Sequence, residues 1–95
     1  MNTLITYDIN RKHGEVKSAM IKNHYMKSWT DNGTTYYLPN TTLWKQNVTP
    51  ATAVADLRSV IQAINNHSSA NEQIKLERAI AVEFTNQGGI PGDPN

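Results

Sequence analysis

The chain has 95 residues and a mass of 10.6 kDa, enough for one small domain with a modest core. It contains no cysteine, which excludes disulfides and thiolate metal sites. Nine Lys/Arg against eight Asp/Glu leave a net charge of +1, far short of the basic balance that binding to a phosphate backbone by charge alone requires.

The charge is unevenly spread. Residues 1–45 carry six Lys/Arg against three Asp/Glu and residues 46–95 carry three against five, so an anionic partner would be met by the N-terminal half. No apolar run approaches the roughly 20 residues that span a bilayer, and the N-terminus runs straight into a strand-like pattern. A cytoplasmic protein without membrane association is expected, with a single domain over residues 1–86 and a Gly/Pro-rich tail over 87–95.

The first element is the run Leu4-Ile5-Thr6-Tyr7-Asp8-Ile9, β-branched and apolar on both faces, as in a central strand, with Asp8 near its end. Arg11, Lys12, His13 and Gly14 make the following turn. Val16, Ala19, Met20, Asn23 and Met26 then recur at three- and four-residue spacing, which predicts a helix from Glu15 to Lys27. The lysines Lys17, Lys22 and Lys27 rotate around its axis and read as a solvated surface rather than a phosphate-gripping stripe. Thr30-Asp31-Asn32-Gly33 is a turn signal that closes this region.

Two short β-rich runs follow, Thr34 to Leu38 and Thr41 to Gln46, separated by Pro39-Asn40, and the spacing predicts an antiparallel hairpin. Thr49-Pro50 pairs a hydroxyl cap with proline at the first helical position, so a helix starts there. Val54, Leu57, Ile61 and Ile64 form its inner face, with Ala53 and Val60 beside them, and Asn65-Asn66 ends it. From Ile74 to Phe84 apolar residues alternate as Ile74, Leu76, Ile80, Val82 and Phe84, broken by Arg78, which predicts a last strand.

Strand, helix, strand, strand, helix, strand is the ferredoxin-like βαββαβ order, an α+β fold with a four-stranded antiparallel sheet and two helices on one face. The other sheet face would expose apolar area, since Leu43 and Trp44, like Leu4 and Ile5, point in opposite directions. A small monomer rarely tolerates such a patch, so a homodimer is expected to bury it. The competing expectation is that the C-terminal tail folds back over part of that face.

The opening strand with its Tyr7-Asp8 pair, the following helix, the run Asn40-Thr41-Thr42-Leu43-Trp44-Lys45, a second helix and a final apolar strand resemble the superfamily of the small CRISPR-associated spacer-acquisition protein. That superfamily includes the virulence-associated protein D toxins and short stand-alone proteins of the SinR family. The resemblance covers residues 3–84 as an order of elements, and Tyr7-Asp8 is its one sharp motif. It implies a ferredoxin-like homodimer in which Asp8 faces its twin across the two-fold axis, sometimes with a divalent metal between them. The activities implied are metal-dependent phosphodiester cleavage, of RNA in particular, or, without cleavage, binding of duplex nucleic acid as an adaptor.

The candidate site follows. Asp8 is the candidate catalytic residue and metal ligand, with Mg²⁺ the cofactor such hard oxygen donors would take. Arg11, Lys12 and Lys45 are the candidate nucleic-acid contacts, and His13 is a further candidate acid or base. Each has a plainer reading: Asp8 as a turn cap, the cations and histidine as solvated surface, and Trp29, Tyr36, Tyr37 and Trp44 as core rather than base-stacking platforms. No Gly-rich phosphate loop, nucleophile elbow or histidine pair is present, so no small-molecule cofactor is expected. A metal-dependent nuclease and a non-catalytic homodimeric binding module for nucleic acid or protein therefore stand side by side.

Overall fold

In a computed structural model, which describes residues 1–85 and 88–92, the described residues form five strands, two α-helices and one 3₁₀ turn (Ala70–Glu72) in an α+β arrangement. Asn86, Gln87 and residues 93–95, which include the boundary expected between domain and tail, lie outside the described residues.

Strand β1 (Asn2–Ile9) is the middle of a three-stranded antiparallel sheet, flanked by β4 (Thr42–Gln46) and β5 (Leu76–Phe84). Its alternation sends Thr3, Ile5, Tyr7 and Ile9 to one face, where they are buried, and Leu4, Thr6 and Asp8 to the other. Helix α1 (His13–Lys22) contributes Val16 and Met20 to the buried face, and α2 (Pro50–Asn66) contributes Ala53, Leu57 and Ile61. With Leu43 and Ile74 these close one core between the sheet and the two helices.

Helix α2 begins as its sequence predicts. Thr49 is extended at the cap, its Oγ1 accepts from the Thr52 N–H at 3.1 Å, and Pro50 occupies the first turn.

Helix α1 is shorter than expected and stops at Lys22 instead of Lys27. The stop is a Schellman arrangement: His24 takes φ 70°, its N–H reaches the Ile21 carbonyl, and the Tyr25 N–H reaches back to the Met20 carbonyl, both at 3.0 Å. Histidine there carries no glycine signal, so the end is invisible to residue type alone. Tyr25 is then buried, and Met26, expected on the inner stripe of the helix, instead bridges to Trp44.

The hairpin also lies elsewhere. Strands β2 (Ser28–Asp31) and β3 (Thr34–Tyr37) pair with each other across Asn32-Gly33, forming a separate two-stranded sheet. Asn32 at φ 50° and Gly33 at φ 79° supply the two positive φ angles that a two-residue hairpin turn demands. Pro39-Asn40 does not join paired strands: β4 follows Thr41 at φ 63° and pairs with β1, running from Asn2↔Gln46 to Thr6↔Thr42. The four-stranded sheet expected from the sequence is thus three strands plus a two-stranded hairpin. At the outer edge of β4 stands a single bridge, with N–H···O bonds of 2.8 and 3.0 Å between Met26 and Trp44.

Strand β5 differs in phase. Asp8 opposes Arg78 but Ile9 opposes Leu76, so Glu77 is an extra, bulged residue. The bulge turns Leu76, Ala79 and Ala81 toward the core and leaves Ile80 and Val82 on the far face, 64% and 48% exposed. The expected single row from Ile74 to Phe84 is therefore split. Two alanines on the core side leave room for α2 to lie close against β5.

Candidate functional site

The sheet face away from the helices carries the candidate site. Across it run the rows Leu4 with Trp44 and Val82, Thr6 with Thr42 and Ile80, and Asp8 with Arg78. The β2–β3 hairpin caps one end of this face. Trp29 and Trp44 stand 6.3 and 6.0 Å from the Phe84 ring, and the Trp44 indole N–H donates to the Ser28 carbonyl at 2.7 Å. This cover buries Trp44, whereas the half around Thr6, Asp8 and Ile80 is open.

Asp8 lies at the open end. Its Oδ2 accepts from Arg78 Nε at 3.0 Å, with both side chains more than half exposed. Asp8 thus bonds across the sheet, and the side chain that ties the next turn is Asn10, whose Oδ1 accepts from the Lys75 N–H at 2.8 Å. Arg78 is the partner that sequence reasoning missed. Its signal was present as the one break in an apolar alternation, but only the register of β5 says which residue it faces.

The other candidates do not converge on Asp8. Arg11 donates from Nη1 to the Asn71 carbonyl. Lys12, in the left-handed conformation before α1, has a largely buried side chain whose ammonium donates to Ser68 Oγ at 2.8 Å and lies 3.9 Å from Glu72. Both cations therefore clamp the connection between α2 and β5. Lys45 is opposite Thr3 on the helix-covered face, five residues along β1 from Asp8, or roughly 16 Å at the rise of a strand. Its ammonium stands 5.1 Å from the centre of the Tyr25 ring. His13, the first residue of α1, is exposed.

Among the described residues, the perturbed titrating groups lie away from this site. Burial pushes the Tyr7 phenol up to about 12, and no partner within hydrogen-bond distance meets its hydroxyl among the described residues. Burial also raises Tyr25, together with its 2.8 Å hydrogen bond to Asp56 and that carboxylate's charge. Lys17 is lowered by burial and by the nearby charge of Lys27.

A Mg²⁺ ion needs several hard oxygen donors. Within one chain the donor set does not fit: Asp8 is one carboxylate already paired to a guanidinium, and no cluster of three or more His, Cys, Asp or Glu suited to a metal occurs among the described residues. Nor is any helix among them long and apolar enough to cross a membrane.

These features define a small α+β protein with an open sheet face bearing an ion-paired aspartate. Compared with known proteins, the chain matches no family model, no curated protein and no solved structure.

Proposed function

We propose that the protein acts in the cytoplasm as a homodimeric nucleic-acid-binding module whose two-fold interface is the open sheet face. One observation carries this reading: Asp8 shares that face with Leu4, Ile80 and Val82, so a dimer that buries the apolar stripe brings the aspartate to its interface. The Met26 bridge beside β4 supports a ferredoxin-like sheet whose fourth strand is reduced to one residue pair. Nucleic acid is favoured as partner by the resemblance to the CRISPR-associated and toxin superfamily and by the excess of Lys/Arg over Asp/Glu in residues 1–45.

A second reading is metal-dependent endoribonuclease activity. The position of Asp8 on the open face favours it, because a two-fold dimer would double the carboxylates available to Mg²⁺ and one chain supplies only one. Such an ion would supply an activated water for phosphodiester hydrolysis. In the isolated chain, the Asp8 carboxylate is already paired to Arg78.

The test combines sedimentation, nucleic-acid binding and cleavage of an RNA and DNA panel with Mg²⁺ or Mn²⁺, beside EDTA and a folded Asp8→Asn control. A dimer that binds without cutting supports the module. Cleavage lost in both controls establishes the nuclease, and a monomer without binding or cleavage contradicts both readings.

A further inference from the structure

The covered end of the open sheet face holds a cage of aromatic rings. Trp29 on β2, Trp44 on β4 and Phe84 at the end of β5 line a cavity of about 210 Å³, completed by Asn2 and Thr30. Register brings these elements together: Asn2 opposes Phe84 on one side of β1, Leu4 opposes Trp44 on the other, and the β2–β3 hairpin carries Trp29 to the Phe84 ring. Phe84 is inclined by 39° to Trp29 and by 69° to Trp44, with ring centres 6.3 and 6.0 Å apart. The three rings therefore do not stack flat, and the cavity lies among them.

The cage is fixed at its base and open at its rim. Trp44 is buried, with its indole N–H committed to the Ser28 carbonyl at 2.7 Å, whereas Trp29 and Phe84 are half-buried and Thr30 is exposed. Clefts that hold drug-sized ligands run to about 300–1,000 Å³, so this one takes only a small group. None of the described residues lining it is charged. Aromatic faces attract cations, tryptophan most strongly, and the attraction grows where water is displaced. The kind of cation follows from the missing carboxylate: an ammonium bearing N–H groups would leave water's hydrogen bonds behind and find few acceptors, whereas a trimethylammonium has no N–H to satisfy.

We propose that the Trp29–Trp44–Phe84 cage binds the trimethylammonium group of a small free cation of the choline class. The methyl groups pack against the three rings, and the Asn2 amide and Thr30 hydroxyl are the polar groups within reach of a short hydroxyl arm. A carboxylate arm, as in a betaine, would meet no cation among the lining residues. The cage stands at the opposite end of β1 from Asp8, six residues or roughly 20 Å away at the rise of a strand, and shares no residue with the ion pair there.

Both tryptophans of the chain line the cage, so their emission reads its occupancy directly. The intact chain is titrated with choline chloride at constant ionic strength, followed by tryptophan emission and by calorimetry. Two probes run beside it: the neutral alcohol in which a tert-butyl group replaces trimethylammonium, which has the same shape without the charge, and ethanolamine, which has the charge without the methyl groups. Trp29→Leu and Phe84→Leu, each with unchanged circular dichroism, are titrated by calorimetry.

Choline should bind saturably, and the neutral isostere and ethanolamine should each bind at least about tenfold more weakly. Either ring variant that retains its fold should weaken choline binding by about fivefold or more. No saturable binding of choline at tens of millimolar, equal binding of the neutral isostere, or folded ring variants that bind as the wild type does would overturn the proposal. The first two comparisons need no variant. A trimethyllysine peptide or a phosphatidylcholine vesicle that binds where free choline does not would place the cation on a larger partner and would overturn it as well.

Discussion

Arg78 on β5 closes a 3.0 Å ion pair with Asp8 on β1, directly across the sheet and on the face that the helices leave open. The pair is solvent-exposed at both ends, and exposed pairs contribute only about 0–1 kcal/mol. Asp8→Asn and Arg78→Ala should therefore each change folding stability by no more than about 1 kcal/mol in urea titrations. A larger loss would mean that the pair is structural, and functional assays on these variants would then report folding.

The same face should hold two chains together. Ile80 and Val82 are exposed in the single chain, so introducing a charge there costs the monomer little but places an unpaired ion in a buried interface. Ile80→Lys should turn a dimer into a folded monomer in sedimentation, with circular dichroism unchanged. A variant that remains dimeric would place the interface elsewhere.

Tyr7 offers a stability test in the core. Its hydroxyl is buried without a partner among the described residues, a situation that costs about 1–3 kcal/mol. Tyr7→Phe should raise stability at neutral pH by about 1 kcal/mol. A loss of that size would reveal a hydrogen bond to the hydroxyl.

The tyrosines also fix the alkaline limb. Tyr7 is raised from 10.0 to about 12 and Tyr25 is raised too, so above pH 10 the unfolded chain releases phenolic protons that the folded chain retains. Deprotonation then favours unfolding: stability holds below pH 10 and falls between pH 10 and 12 by up to about 1.4 kcal/mol per pH unit for each tyrosine. Tyr7→Phe should make that slope shallower in denaturation curves taken across this window. An unchanged slope would exclude Tyr7 as a contributor.

At the start of α2, Thr49 accepts from the Thr52 N–H, and Thr49→Ala should cost about 1 kcal/mol in thermal or urea unfolding. Thr49→Asp should retain most of the stability, because its carboxylate accepts the same bond.

Parts of this fold were legible because single residues dictate them. Thr49-Pro50 marks a helix start in any context, and Leu4 to Ile9 has too much apolar surface on both faces for an edge strand. The end of α1 was hidden because His24 supplies the left-handed conformation that glycine would have announced. Asn32-Gly33 was visible as a turn, but Ser28 to Asp31 lack the apolar alternation that marks a strand, so the hairpin was placed one segment too late. Glu77 could not be seen as a bulge, since β5 acquires its register only from β1. The candidate site shares that dependence. Asp8 at the end of the first strand follows from local pattern, whereas Arg78 opposite it, and the distance of Lys45 from it, are decided by pairing between strands far apart in sequence.

The most direct test of the proposed dimer uses the absence of cysteine from the chain. Asp8→Cys creates a single thiol at the open end of β1, and a short bis-maleimide joins two such thiols only where they face each other. The proposed dimer predicts a covalent dimer at concentrations where the wild type sediments as a dimer, and loss of that product when Ile80→Lys is added. A wild type that sediments as a monomer, or a dimer whose Asp8→Cys variant cannot be cross-linked, would contradict an interface that carries Asp8.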